Sequence, residues 1–247
     1  NGTLLGVLQI INVKDSSGKV VCFDDEDELI ITHFAAAAVQ ALQHSYLTSN
    51  MVRRMLKMAE FRDPKETYHH VQRVSSYSLE IYDRWAFNHN IPETEQHRYR
   101  DTLKIAAKFH DVGKVGISDV ILKKKFPRFT EEERNIMKGH TCIGAQLFEP
   151  PESFLDEMSR DVALHHHDRW DGGETGYPGR IDLSEFSIEE GLPPGARISG
   201  NEIPLCARIV AVADVFDALS HRRCYKEAWS MDDAFNEIQV NAGTQFD

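Results

Sequence analysis

Histidine and acidic side chains recur along this chain at spacings that suit metal binding. There are 12 histidines in 247 residues, and three of them are consecutive. Imidazole and carboxylate ligands without thiolate favour iron, manganese or zinc over copper or an iron–sulfur cluster. Because one ion needs fewer ligands than the chain offers, two or three ions joined by a bridging carboxylate are predicted, a layout suited to phosphoester hydrolysis. The candidate ligands are Glu66, His70, His110, Asp111, His140, His166, His167 and Asp214.

The spacing of these residues supports a joint role. Glu66 and His70 are four residues apart on a predicted helix and therefore share one face. His110 and Asp111 end the apolar helix LKIAAKFHD, whereas Asp214 lies in the Ala/Val-rich helix RIVAVADVFDALS. An unpaired carboxylate buried in such a helix would be costly. A single histidine is more often structural than a ligand, so the joint occurrence carries the prediction.

The elements that must position these residues are mainly helices. Apolar residues three or four apart predict helices at about 50–61, 66–88, 93–110, 130–147, 152–167, 204–221 and 230–241. Thr130 and Glu133 form a capping-box pattern, and His140 is expected to close the helix that they begin. The interval 171–203, rich in glycine and proline, predicts no helix or strand. A loop of that length in a compact domain is usually functional or disordered.

The first 48 residues have a different pattern. A β-rich run from Leu4 to Val13, a turn at Asp15–Gly18 and a second strand from Lys19 to Phe23 predict a hairpin. A helix from Leu29 to about Leu47 follows an acidic start. Two strands and one helix cannot bury a core, so we expect this stretch to be the end of a domain that begins before Asn1.

Composition excludes several classes of protein. The formal charge of −11, from 28 Lys+Arg and 39 Asp+Glu, argues against non-specific binding of nucleic acid or anionic membranes. No apolar run approaches the ~20 residues of a membrane span, and no signal peptide is evident. The four cysteines are far apart, which indicates neither a disulfide framework nor a zinc ribbon. A reducing, cytoplasmic setting is predicted.

Several segments together resemble the HD-GYP domain, a branch of the HD superfamily of metal-dependent phosphohydrolases. The match covers about residues 50–247 in the family's order: ETYHHVQRV (66–74), HDVGK (110–114), GHTCIG (139–144), HHDRWDGG with GYP (166–173 and 176–178), and ADVFDALSHRRCYK (213–226). The resemblance implies a mainly α fold whose metal centre hydrolyses cyclic di-GMP to linear pGpG, in some members onward to GMP. Residues 1–48 are similar to the closing strands and last helix of a GAF sensory domain. The expected domains are therefore 1–48, a GAF-like remnant with its connector helix, and 49–247, the HD-GYP domain.

The resemblance also assigns metal ligands. It implies that His110 and Asp111 are the ligands that name the family, with Asp111 bridging two metals through its carboxylate. His140, His166, His167 and Asp214 would complete a binuclear site. Glu66 and His70 match positions that supply a further ion in three-metal members, so a trinuclear centre holding iron or manganese is expected.

Substrate-binding positions carry over in the same way. Lys114 matches the residue that faces the scissile phosphate, and Asp217 matches one that contacts a guanine. Arg223 and Lys226 match contacts to the phosphates. Tyr177, in the GYP loop, lies near the substrate groove and matches a residue implicated in docking GGDEF-type or other signalling proteins.

The chain departs from the family pattern in one long insertion. The usual short turn after GYP is replaced by Gly179 to Glu202, 24 residues that include several acids. A lid, a partner-binding surface and a tolerated surface loop are the alternatives, and we hypothesise a lid that alters substrate access or the choice of dinucleotide. The helix from about 28 to 48 is expected to transmit a signal and to contribute to a homodimer interface.

Other functions remain open. A preference for another cyclic dinucleotide, such as 3′,3′-cGAMP, is compatible with the same residues. An HD-fold di-iron oxygenase is disfavoured, because its substrates do not call for Lys114, Arg223 and Lys226. A catalytically weak sensor that binds the dinucleotide without turnover is disfavoured by the intact ligand set.

Overall fold

The protein is mainly α-helical in a computed structural model that describes residues 5–63, 68–124, 128–193, 195–221 and 228–247. Short 3₁₀ segments at Ala107–Phe109, Val112–Gly116 and Gly200–Glu202 join the longer elements. The α-helices in the described ranges are α1 (Asp25–Arg62), α2 (Tyr68–Asn88), α3 (Glu93–Ala106), α4 (Asp119–Leu122), α5 (Glu131–Lys138), α6 (His140–Gln146), α7 (Phe154–His165), α8 (Leu205–Ser220) and α9 (Met231–Val240). None of them combines the length and hydrophobicity that a membrane span requires. The predicted fold class is confirmed.

The chain divides into two compact units, Asn1–Met55 and Leu56–Asp247. In the first unit, none of the described residues 5–55 is buried. The predicted hairpin turn is present, because the Asp15 carboxylate accepts hydrogen bonds from the main-chain N–H groups of Ser17 and Lys19. The two predicted strands are wrong: Lys14 and Val20 form an isolated antiparallel bridge. An isolated two-stranded hairpin is only marginally stable in water unless a further strand or a packed apolar face supports it.

Helix α1 is continuous where two helices were predicted. The sequence predicts one helix to about Leu47 and another from about residue 50, but α1 runs through this stretch, where the Thr48 hydroxyl donates to the His44 carbonyl oxygen at 3.0 Å. This bond to the preceding turn satisfies the side chain inside the helix. Polar residues therefore do not end α1.

The core of the second unit lies among α2, α3, α7 and α8. Its fully buried side chains include Val74, Leu103, Ala106, Val162, Val210 and Ala213. These residues recur three or four apart on their helices, as the sequence predicts. The same cluster includes Ala107, so the helices that carry His70 and Asp214 share one core with the 3₁₀ segment that precedes His110.

Two predicted helices have different bounds in the structure. The helix predicted at 93–110 ends at Ala106 and continues as a 3₁₀ turn. The one predicted at 130–147 divides at Gly139, although its Thr130–Glu133 capping box is confirmed. His140 therefore opens α6 and does not close the preceding helix.

The insertion predicted as a lid packs against the body of the second unit. Its base is closed where the Arg180 N–H donates to the Ala196 carbonyl at 2.7 Å. Phe186, only 9% exposed, belongs to the apolar cluster of Cys142 and Ala145 on α6. The described part of 171–203 contains no α-helix, as the sequence predicts.

Candidate metal centre

The His-Asp turn, residues 110–116, lies directly against α6. Glycine is required at position 113, because a Cβ there would overlap the His140 carbonyl oxygen and the Gly144 main-chain nitrogen. This close approach places the first residue of α6, His140, next to Asp111. The glycine thus determines which imidazole faces the carboxylate.

Four side chains form what we term the first ligand group: Asp111, His140, His166 and His167. Their potential ligand atoms all lie within 4.8 Å of one another. The Nε2 atom of His140 is 3.2 Å from Asp111 Oδ1, and that of His166 is 3.9 Å from the same oxygen. His166 and His167 directly follow α7, which ends at His165. Two segments distant in sequence therefore bring imidazoles to one oxygen of a third.

A second ligand group, His70, His110 and Asp214, adjoins the first and satisfies the same 4.8 Å criterion. Helix α2 supplies His70 and α8 supplies Asp214, with His70 Nε2 3.5 Å from Asp214 Oδ1. His110 Nε2 is 3.3 Å from Asp111 Oδ2. The two oxygens of Asp111 therefore face different ligand groups, which is the geometry of a bridging carboxylate.

The orientation of the histidines leaves their Nε2 atoms for a ligand. Three of them place Nδ1 within hydrogen-bond distance of a main-chain carbonyl three or four residues earlier: His110 to Ala107 at 2.9 Å, His140 to Met137 at 2.8 Å and His166 to Val162 at 3.0 Å. A carbonyl only accepts, so each Nδ1 carries the proton and a neutral ring has its lone pair on Nε2. In the described part of the chain, these Nε2 atoms and Asp111 Oδ1 are buried without a hydrogen-bond partner.

This arrangement fits a divalent cation. Lone pairs on imidazole nitrogen and carboxylate oxygen that face each other at 3.2–3.3 Å repel unless a proton or a cation lies between them. Ligating histidines are commonly held through the other ring nitrogen in this manner. Nitrogen and oxygen donors without sulfur suit iron, manganese or zinc.

Comparison with known proteins agrees with this geometry. Residues 67–219 match the family model of the HD domain. The chain belongs to the HD domain family. Curated relatives of this HD domain include a cyclic di-GMP phosphodiesterase of Thermotoga maritima, 37% identical over 75% of this chain and 43% of the relative. The cyclic di-GMP phosphodiesterase response regulator RpfG of Xanthomonas campestris is 42% identical over 59% of this chain and 33% of the relative. The 3'3'-cGAMP-specific phosphodiesterase 2 of Vibrio cholerae is 34% identical over 74% of this chain and 30% of the relative. The chain thus spans less than half the length of these relatives.

Burial and charge set the protonation of the HD-domain ligands. Burial, reinforced by His167, holds the pKa of His166 well below its usual value. Burial and the neighbouring His140 lower the pKa of His167 to about 3. Both rings are therefore neutral near pH 7 and available to a cation.

Asp111 is charged in the same environment. Burial alone would raise the pKa of its carboxyl, but the Lys114 ammonium and the His110 ring outweigh burial and hold the pKa well below the usual range. Burial would lower the pKa of His110, but attraction to Asp111 raises it. The Asp111 carboxylate thus favours any positive charge, proton or metal, that lies between it and the rings.

Two predicted substrate-side residues lie beside the first ligand group. Lys114 Nζ is 2.7 Å from Asp111 Oδ2, and the lysine side chain is 20% exposed. The ring of Tyr177 lies 4.8 Å from that of His167, and Lys138 Nζ lies 5.2 Å from the Tyr177 ring centroid. Burial raises the pKa of Tyr177, so its phenol is neutral. Both residues are close enough to the ligands to contact a bound phosphate ester.

Asp217, the predicted guanine contact, is buried beside a candidate metal ligand. Asp217 is 1% exposed, and its carboxylate accepts from His70 Nδ1 at 2.7 Å and from the Arg73 guanidinium. Burial would raise its pKa, but these hydrogen bonds lower the pKa to about 2. The Asp217 carboxylate is therefore directed at the candidate ligand His70. The sequence signal was available: His70 and Arg73, like Asp214 and Asp217, are three residues apart on one helix face.

Three predicted site residues cannot be placed, and a further histidine near the site, His165, belongs to neither ligand group in the described chain. Glu66, Arg223 and Lys226 fall outside the described residues. His165, the first histidine of the run of three, lies with Nδ1 2.7 Å from Asp168 Oδ2. Asp168 also accepts from the Gly179 N–H at 2.9 Å, so this pair links the end of α7 to the GYP loop.

Proposed function

We propose that this HD domain is a metal-dependent phosphodiesterase that hydrolyses cyclic di-GMP to linear pGpG, with further hydrolysis to GMP left to the product assay below. The observation that carries the proposal is the pair of adjoining ligand groups that share the two oxygens of Asp111. Two cations held side by side suit an in-line displacement at phosphorus. Relatives of this chain in three bacterial species are cyclic-dinucleotide phosphodiesterases, which supports the substrate class.

Each ligand group has its own role in this proposal. The first group would hold one divalent cation and the second group another, with iron or manganese expected from the donor atoms. When bound, such cations supply Lewis acidity at the phosphate and lower the pKa of water. A third ion would use Glu66 as an additional ligand, as the family resemblance implies.

The protein's own residues would bind and orient the substrate. Lys114, beside Asp111, provides a cationic donor for a non-bridging phosphate oxygen, where negative charge increases during displacement. Arg223 and Lys226 would bind the phosphates of the dinucleotide, since charge-assisted hydrogen bonds to phosphate are strong. Tyr177, packed on His167, would form one wall of the groove.

Control and partners are part of the same proposal. We expect residues 1–48 to belong to a GAF-like sensory domain that regulates hydrolysis through α1. The GYP loop would present Tyr177 and its neighbours to GGDEF-type or other signalling proteins. The loop is joined to the candidate ligands, because the Tyr177 N–H donates to the His167 carbonyl oxygen at 3.2 Å.

A second substrate is favoured by one specific finding. A relative 34% identical to this chain is a 3'3'-cGAMP-specific phosphodiesterase. The same cation centre would serve either dinucleotide, because both present a 3′,5′-phosphodiester to it. A sensor without turnover is disfavoured, because the described ligands converge as a binding set.

The experiment is an anaerobic hydrolysis assay. Protein loaded with Fe(II) or Mn(II) is incubated separately with cyclic di-GMP and 3′,3′-cGAMP, and the products are resolved by chromatography. We expect metal-dependent pGpG or GMP from cyclic di-GMP and no product after chelation. Hydrolysis of 3′,3′-cGAMP alone would transfer the proposal to that substrate. Metal binding without hydrolysis of either compound would contradict it.

A further inference from the structure

His70 is held differently from three other histidines of the metal centre. His110, His140 and His166 each direct Nδ1 at a main-chain carbonyl. His70 instead directs Nδ1 at a carboxylate, Asp217 Oδ2, at 2.7 Å. A charged acceptor draws the Nδ1 proton more strongly than a carbonyl does, which increases the basicity of the opposite nitrogen. That opposite nitrogen, Nε2, faces Asp214.

One helix supplies both carboxylates that face this imidazole. Asp214 and Asp217 are one turn apart on α8, with Asp214 Oδ1 3.5 Å from Nε2 and Asp217 Oδ2 2.7 Å from Nδ1. The ring of His70 is therefore fixed between two acids of the same rigid element. Turning the ring away from this position would break the 2.7 Å hydrogen bond to Asp217.

Asp217 is in turn fixed by Arg73, one turn after His70 on α2. The guanidinium donates through Nε to Oδ1 and through Nη2 to Oδ2 at 2.9 Å, which is a fork-to-fork pair. In addition, His221 Nδ1 lies 3.2 Å from Asp217 Oδ1. Asp217 is 1% exposed, so solvent does not compete with these donors.

We propose that Asp217, held by Arg73, is a positioning residue that orients His70 for cation binding in the second ligand group. The inference rests on the proposed function only in requiring that the two ligand groups bind cations. In the contacts described, Asp217 contacts His70 and no member of the first group. A change at Asp217 should therefore alter cation binding in the second group and leave cation binding in the first group unchanged. Hydrolysis, which needs both groups, would then depend on a residue that does not contact substrate.

The test is Mn(II) binding to the full chain with Asp217→Asn. Asparagine retains the shape and one acceptor oxygen but loses the charge. Equilibrium dialysis with elemental analysis should show two classes of site in the wild type. In Asp217→Asn, one class should weaken about 10- to 100-fold while the other keeps its affinity. The electron paramagnetic resonance signal of coupled Mn(II) pairs should disappear at concentrations that leave the weakened class empty.

A second variant and a control distinguish a specific effect on the second ligand group from a general loss of structure. Arg73→Lys keeps the positive charge but not the fork, so it should weaken the same class of site by a smaller factor. Asp83→Asn removes an Arg–Asp pair between α2 and α3, with Arg100, that lies apart from both ligand groups. It should bind Mn(II) as the wild type does.

The outcomes separate the two proposals. Wild-type affinity of both site classes in Asp217→Asn would overturn the positioning role, and so would equal weakening of both classes. Two Mn(II) classes in the wild type without hydrolysis of any cyclic dinucleotide would overturn the proposed function and leave the positioning role intact.

Discussion

Asp111 joins the two ligand groups because each of its oxygens faces a different one. His140 approaches Oδ1 at 3.2 Å and His110 approaches Oδ2 at 3.3 Å. Lys114 Nζ also lies 2.7 Å from Oδ2, so the same carboxylate contacts the ammonium group that is proposed to bind the phosphate. Removing a buried carboxylate that balances the Lys114 ammonium is costly. Single substitutions in the His-Asp turn should therefore have the largest effects on metal binding and hydrolysis.

Lys114→Gln separates substrate binding from metal binding. The variant removes the ammonium without removing a metal ligand, so Mn(II) affinity should stay equal to or above that of the wild type. Hydrolysis should fall about 10²-fold, since a preorganised cation at the phosphate is lost. Mn(II) titration and steady-state kinetics on the same preparation measure both effects.

The matched control for that variant is Lys57→Gln. Lys57 forms a surface pair with Glu60 and is 53% exposed, so the same change of charge occurs on the surface. Its kinetics should be unchanged. A Lys114→Gln enzyme that loses Mn(II) would show that the lysine maintains the metal centre and has no separate role at the phosphate.

The candidate ligands could be predicted from sequence, because the type of a side chain determines whether it can bind a metal ion. Seven of the eight lie in the described chain, and each of those seven belongs to one of the two ligand groups. The division into groups was not predicted, since it depends on how α2, α8 and the His-Asp turn pack. The position of Asp217 was missed for a similar reason: helical spacing shows which face it shares with Asp214 but not which side chain it contacts.

At the scale of elements, the approach of α6 to the His-Asp turn depends on Gly113. A Cβ there would overlap main-chain atoms of His140 and Gly144, which cannot move as a flexible side chain does. Gly113→Ala should destabilise the fold by about 2–3 kcal/mol. That corresponds to a melting temperature lower by roughly 5–10 °C in a chain of this size.

Differential scanning calorimetry of chelated protein tests this prediction. Gly6→Ala is the control, because a Cβ at Gly6 meets no atom within 4 Å. An unchanged melting temperature in Gly113→Ala would mean that α6 and the turn are not in the contact described.

The insertion acts as an element that supports α6. A Cβ on Gly139 would lie 2.9 Å from Ile188 Cδ1 and 3.0 Å from Phe186 Cζ, so the insertion closely covers the residue before His140. The Asn135 and Gln146 amides also donate to its carbonyls, at Leu192 and Leu183. These contacts, on both sides of the α5–α6 junction, do not favour the lid hypothesis.

Phe186→Ala distinguishes support from gating. Loss of this buried ring should destabilise the protein by about 3 kcal/mol and weaken Mn(II) binding, because His140 opens the supported helix. Glu189→Ala, an exposed acid of the same insertion, should change neither property. A variant with an altered KM but normal melting temperature and Mn(II) affinity would favour the lid.

Helices were predictable from apolar periodicity, and their ends were not. Burial of residues such as Val74, Leu103 and Val210 follows the three-to-four spacing directly. The division at Gly139 depends on contacts with the insertion and the turn, which are distant in sequence. The strands predicted at 4–13 and 19–23 would need neighbouring strands, and the described chain provides none for them.

At the scale of the whole molecule, the described part of the first unit, residues 5–55, contains no buried residue. Exposed apolar side chains lie along its part of α1, among them Ile30, Phe34 and Leu42 at 60%, 64% and 53% exposure. Apolar surface of this kind is typical of an interface. We propose that it contributes to the homodimer that the sequence predicts.

Sedimentation velocity over a range of concentrations tests the dimer. The chain should sediment as a dimer, and Ile30→Glu with Phe34→Glu should shift it to monomer without changing the helix content of the second unit. A wild type that is monomeric at high concentration would contradict the proposal.

The central claim is that Asp111 links two cation sites used for cyclic di-GMP hydrolysis. The most direct test compares wild type and Asp111→Ala for bound Mn(II) per chain and for pGpG formation under anaerobic conditions. We predict at least two ions per chain and hydrolysis in the wild type, with metal lost from both groups and turnover reduced by more than about 10³-fold in the variant. Hydrolysis by Asp111→Ala at the wild-type rate would contradict the account.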